Sequence, residues 1–173
     1  MAAVLLYGAT GALHDAVTGV PGDFDRCIAA IERAPDATVL TGVTRSNARH
    51  LNALVGCLSA RGVRTWTLRW PGPTPEGSGP PRLALVVPRM LHTAVAAART
   101  GLTTRLVGVP PCLLGPHAHL TAPIEPLEAP EPAEPSWHCD TCPAARTCSG
   151  VPGSYATWYA RDLELRNASP RRA

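Results

Sequence analysis

Short apolar runs alternate with amphipathic stretches along this chain, and that alternation limits the fold more than any other feature. The runs are AVLLY (residues 3–7), TVLTGV (38–43), TWTLRW (65–70) and TRLVGV (104–109). Each is brief, holds β-branched or aromatic residues and lies between turn formers, which is the pattern of a strand. In DFDRCIAAIERA (23–34), Phe24, Cys27, Ile28 and Ile31 share one helix face, with Asp23 as N-cap. In SNARHLNALVGCLSARG (46–62), Leu51, Leu54, Val55 and Leu58 form the stripe, Ser46 caps it and Gly62 stops it. In PRMLHTAVAAARTG (88–101), Pro88 suits a first helical position, Leu91, Ala94, Val95 and Ala98 face inward, and Gly101 ends the helix. The order β-α-β-α-β-α-β predicts an α/β fold with parallel strands and right-handed crossovers. The run LALVV (83–87) reads either way, with an extended arm into the third helix as one solution.

About four parallel strands and three helices make a partial (β/α) barrel, since four strands cannot close one. The expected division is the partial barrel at 1–116, a Pro/Glu-rich linker at 117–136 and a Cys-rich tail at 137–173. Two stretches read as loops: PGPTPEGSGPP (71–81), and TAPIEPLEAPEPAEPS (121–136), an acidic, Pro-rich linker without periodicity. The first strand begins almost at Met1, and a bare apolar edge strand invites pairing. That predicts a missing neighbour: an upstream segment, a partner protein, or self-association through the first strand.

The chain has 173 residues, 45% of them hydrophobic, enough for one domain with a real core and too apolar for wholesale disorder. All sixteen basic residues are arginines, dispersed along the sequence, with a net charge of +3, so nucleic-acid binding is not expected. No stretch approaches a membrane span and no export signal is visible, which points to the cytoplasm. There, six cysteines are metal ligands or core residues rather than disulfides.

Three of them form the run Cys139-x2-Cys142-x5-Cys148. A CxxC turn brings two sulfurs to one metal centre, and a third can wrap back after five residues. A fourth ligand is then needed, because cuboidal clusters and structural zinc both favour four-coordination. Cys112, in VPPCLLG after the last strand, is the best candidate, since the linker can carry the tail back to the rim. Zinc fits the same four thiolates, and His138 can replace one of them. Cys27 and Cys57 lie within helices and read as small buried side chains.

The tail HCDTCPAARTCSGVPGSYATWYARDLELR resembles the C-terminal auxiliary-cluster region of radical S-adenosylmethionine proteins of the SPASM and twitch type. LYGATGALHDAVTGVPGDFDRCIAAI is similar to the segment after that family's third barrel strand, and TGVTRSNARHLNALVGCLSARGV to its fourth strand and helix. The resemblance implies an auxiliary [4Fe-4S] cluster on Cys112, Cys139, Cys142 and Cys148. It also implies that Thr44, Arg45 and Asn47 help hold S-adenosylmethionine. The chain departs from the family in having no CxxxCxxC motif anywhere. It cannot cleave S-adenosylmethionine alone and would need a partner or an upstream segment, so no catalytic residue is assigned. The implied role is the substrate-side or auxiliary-cluster half of a peptide- or small-molecule-modifying enzyme. Two other roles compete: a non-catalytic binding or scaffold protein with a structural zinc held by the four cysteines, and a truncated product of a full enzyme.

On the rim beyond the strand ends, Ser46 and Asn47 have a plainer role as caps of the second helix. His14 and Asp15 read as a turn-ordering pair rather than an acid/base pair. Tyr155, Trp158 and Tyr159 read as aromatic packing of the tail, and His117 and His119 as solvated.

Overall fold

The structure, a computed structural model, describes residues 3–73, 79–122, 133–134, 139, 142, 144, 148, 150–153, 155 and 157–159. The first unit runs β1 (Ala3–Leu5), α1 (Gly11–Thr18), α2 (Asp23–Arg33), β2 (Thr38–Gly42), α3 (Leu51–Ser59), β3 (Thr65–Arg69), α4 (Leu83–Ala98) and β4 (Thr103–Val107). The four strands make one parallel sheet in the order β1-β2-β3-β4. The fold is therefore α/β, with each strand beside its sequence neighbour.

Period-two alternation sorts the sheet into two unlike faces. Val39, Thr41, Trp66, Leu68, Thr104 and Leu106 are buried and belong with the helix residues Leu51, Leu54, Leu58, Val86 and Met90 in the interior. The opposite face carries Leu5, Leu40, Thr67 and Arg105 in one row across the strands. That row runs from half-buried to exposed, with Leu5 at 47%. A polar thread ties the strands together inside the core: the Trp66 indole donates to Thr41 Oγ1 at 2.9 Å, and Thr41 donates to the Leu6 carbonyl at 2.6 Å.

Glycine is required where the chain turns over the C-terminal strand ends. Gly72 donates to the Val43 carbonyl at 2.8 Å, and a Cβ on Gly72 would lie 2.8 Å from the Val43 nitrogen. At Gly108 φ is +79°, and a Cβ would overlap the Trp70 carbonyl oxygen. These contacts hold the β3 exit close to the β2 exit on one side and to the β4 exit on the other.

Several elements differ from the sequence expectation. Helix α1 is an addition, capped by the Thr10 hydroxyl accepting from Leu13 N–H. Its eight residues are too few for a persuasive stripe. Helix α3 starts at Leu51 rather than at Ser46. LALVV is helical, not an extended arm, so Pro88 lies inside α4 instead of opening it. Proline there leaves the Ala84 carbonyl without its i+4 donor. Burial of Leu83, Val86 and Val87 holds the first turn in place.

After β4 come 3-10 turns at Pro111–Leu113 and Gly115–Leu120. Thr121 and Ala122 then run beside β4, with Ala122 N–H donating to the Leu106 carbonyl at 2.9 Å. The chain therefore stays on the sheet past residue 117, and His117 and His119 belong to the second 3-10 turn. Of the Pro-rich linker, β5 (Ala133–Glu134) is described; it pairs antiparallel with β6 (Val151–Pro152), and the remainder lies outside the described residues. Among the described residues no helix is long and apolar enough to cross a membrane.

Candidate metal centre and the surrounding rim

Behind the β1 end, His14 is fully buried among Tyr7, Asp23, Phe24 and Cys27. One ligand atom from each of His14, Asp23 and Cys27 falls within 4.8 Å of the others, a spacing that a metal ion could use. The hydrogen bonds argue against it. Tyr7 N–H donates to His14 Nδ1 at 3.0 Å, so Nδ1 carries a lone pair and the ring hydrogen sits on Nε2. Nε2 then donates to Asp23 Oδ2 at 3.1 Å. A metal on Nε2 would require the hydrogen on Nδ1, facing the Tyr7 N–H, whereas metal-bound histidines donate from their free nitrogen. A catalytic triad is also unsuited, because Cys27 Sγ and Asp23 both face the same nitrogen. Burial and the nearby Asp23 charge push the Cys27 thiol up, away from the reactive thiolate. The trio clamps α2 to β1.

Asp15 does not pair with His14 in this clamp. Its carboxylate accepts from Gly22 N–H at 2.7 Å and Phe24 N–H at 2.9 Å, serving the unfilled donors at the start of α2. The Phe24 N–H, reinforced by that of Gly22, holds Asp15 below the usual carboxylate range. For Asp23 the hydrogen bond from His14 does the same, followed by that from Arg26. Both pKa values are lowered on folding, so this stabilisation is complete above the ordinary aspartate range and fades as pH falls through the folded values. The urea midpoint is therefore expected to drop as pH falls below about 4. Asp15→Asn should flatten that limb; an unchanged acid profile would remove Asp15 from the account.

The family-implied cofactor residues lie at the β2 exit. Thr44 Oγ1 accepts from Asn47 N–H at 3.1 Å, while Asn47 Oδ1 accepts from Thr44 N–H at 2.8 Å. This is a reciprocal cap of the capping-box kind, and Thr44 rather than Ser46 opens the turn that leads to α3. The Asn47 amide also donates to the Gly42 carbonyl at 2.8 Å and the Tyr7 carbonyl at 3.1 Å. Fully buried and so bonded, Asn47 ties the β1 and β2 ends together and has no group turned to a ligand. Arg45 is exposed and, among the described residues, unpaired, which leaves it as the member of the set able to meet a carboxylate.

Of the cysteine set, Cys112 lies just past the β4 exit. Cys112 is exposed on the Pro111–Leu113 turn, while Cys139, Cys142 and Cys148 are half-buried. Cys142 N–H donates to the Cys139 carbonyl at 3.1 Å, closing the CxxC turn. Cys148 N–H donates to the Ala144 carbonyl at 2.8 Å, and Gly150 N–H donates to Cys148 Sγ at 3.3 Å. Burial pushes the Cys148 thiol up; the Gly150 N–H opposes this, and the charges of Cys112, Cys139 and Cys142 add to the rise. An all-sulfur donor set is the chemistry that a thiophilic cation takes, deprotonating its ligands as it binds.

Tyr155 is buried against the rim at 1% exposure. Its ring meets Trp70 edge-on at 5.3 Å and Tyr159 at 4.9 Å, and Arg82 lies over Tyr159 at 5.9 Å. Trp158 covers Gly79, where a Cβ would come within 2.6 Å of the indole, yet it remains half exposed. These aromatic side chains pack the tail, as their pattern suggests. The His14–Asp23 partnership has no such signature, because the two lie nine positions apart with a loop between them. Compared with family models, curated proteins and solved structures, the chain matches none.

Proposed function

We propose that this chain is an iron–sulfur protein related to radical S-adenosylmethionine enzymes, carrying the auxiliary-cluster and substrate-side half of such a system. The Cys139-x2-Cys142-x5-Cys148 run, with Cys112 exposed on the turn just past β4, carries the reading. Cys112 lies beyond the C-terminal end of β4, on the side where parallel α/β folds place their chemistry. The CxxCx5C spacing and its resemblance to an auxiliary-cluster region favour a [4Fe-4S] cluster over zinc.

Cys112, Cys139, Cys142 and Cys148 would hold the group, with the Gly150 N–H directed at the Cys148 sulfur. When bound, such a cluster supplies one-electron chemistry. Arg45 offers a planar cation to a substrate or cofactor carboxylate. The sheet is the second part of a (β/α) barrel in this reading, and its half-buried to exposed Leu5–Leu40–Thr67–Arg105 face is the interior side. Parallel sheets ordinarily have both faces covered. Further strands beside β1, from an upstream segment or a partner, would cover that face and bring the S-adenosylmethionine-cleaving motif.

Anaerobic reconstitution with iron and sulfide tests the assignment. The expected product is coloured and contains iron and acid-labile sulfide in near-equal amounts. A colourless protein that retains zinc and takes up no iron would establish the scaffold reading instead.

A further inference from the structure

The first turn of α4 receives its long-range cap from the tail. Arg82, at the N-cap position, provides no side-chain acceptor, and the turn contains no acidic residue. Leu85 and Val86 N–H both turn back to the Arg82 carbonyl, at 3.0 and 3.1 Å. Pro88 weakens the next turn by removing a donor. The Leu83 N–H, an unfilled donor at the start of the helix, reaches the Tyr155 hydroxyl at 3.2 Å across 72 residues.

Tyr155 lies just beyond Cys148 in the tail. Between them the described backbone support is the two-residue β5–β6 pairing, and a short two-stranded ribbon is marginal in isolation. The aromatic contacts to Trp70 and Tyr159 add to this seat. A metal centre shared by Cys112 on the sheet side and Cys148 on the tail side would tie the two segments together next to it.

We propose that Tyr155 couples the cysteine site to α4: loading of the site seats the tail, and the seated Tyr155 hydroxyl caps and orders residues 83–87. This rests on the metal-site reading and adds a structural consequence to it. A rim helix whose first turn depends on the loaded site makes the surface around Trp70 and Pro81 a reporter of metal state, since the Trp70 indole donates to the Pro81 carbonyl at 2.8 Å.

Amide hydrogen exchange of the full chain, in metal-free, iron–sulfide-loaded and zinc-loaded forms, tests the coupling, with metal content measured on the same samples. Loading is expected to slow exchange at Leu83 and its neighbours roughly three- to tenfold, the range of one net hydrogen bond. Exchange within α3 should stay unchanged. Tyr155→Phe retains the ring packing and should abolish the difference at Leu83 with metal content intact. Bound metal with equal exchange at Leu83 would overturn the coupling and leave the site reading standing. A change of equal size in α3 would also overturn it, because the effect would then be global. Failure to bind either iron–sulfide or zinc would overturn both proposals.

Discussion

Cys139→Ser should strip the bound metal, lowering iron and sulfide content after reconstitution by more than the roughly 10–100-fold that loss of a supporting hydrogen bond costs. The thiolate is the ligand, and a serine hydroxyl stays protonated and hard where a soft donor is needed. Cys27→Ser and Cys57→Ser provide the contrast and should leave metal content unchanged. The Cys27 sulfur sits 3.8 Å from a His14 nitrogen already committed to Asp23. Cys57 sits on α3, where the Arg61 guanidinium bonds its carbonyl at 2.9 Å and meets its sulfur at 3.4 Å. Metal analysis of the three purified variants decides the matter. Full occupancy in Cys139→Ser with loss in Cys27→Ser would move the centre to the His14 trio.

Asn47→Ala is expected to lower the unfolding free energy by about 3 kcal/mol or more. The side chain serves the Thr44 N–H and the carbonyls of Gly42 and Tyr7, and it is fully buried. Removing it leaves those backbone groups without partners, at about 1–3 kcal/mol each where water cannot reach them. Asn47→Asp should be at least as damaging, since it loses both donors and buries a charge. Urea titration reads the effect as a lower midpoint at an unchanged slope. A loss under about 1 kcal/mol would mean that water satisfies the exposed backbone groups. The β1 and β2 ends would then not depend on Asn47.

Much of the scaffold was legible from local pattern. Three of the four strands fall within the apolar runs and β4 begins one residue ahead of its own, because alternating β-branched and aromatic residues between turn formers suit little else. Helix α2 spans Asp23–Arg33, one residue short of its amphipathic stretch. The first half of α4 was not legible. Proline conventionally opens a helix, so Pro88 marked a start, while burial of Leu83, Val86 and Val87 and a cap from Tyr155 overrode that local preference.

The candidate site divides the same way. The CxxCx5C spacing already brings three sulfurs together along the chain, so Cys139, Cys142 and Cys148 could be nominated from sequence. Asn47 could be nominated as well, but its use could not, because a residue suited to a ligand and one suited to a cap are the same residue until their partners are known. Its partners at Gly42 and Tyr7 come from two different strand ends.

By itself, then, the order of residues determined the alternation of strands and helices, the parallel sense of the sheet and the spacing of the tail cysteines. All of these are set by contacts near in sequence or by connection length. Tertiary structure alone decided that His14 meets Asp23 rather than Asp15, that Asn47 is consumed by backbone, and that Tyr155 completes α4. Each of those depends on which buried donor finds which acceptor across the fold, and burial makes that choice only once the segments have packed.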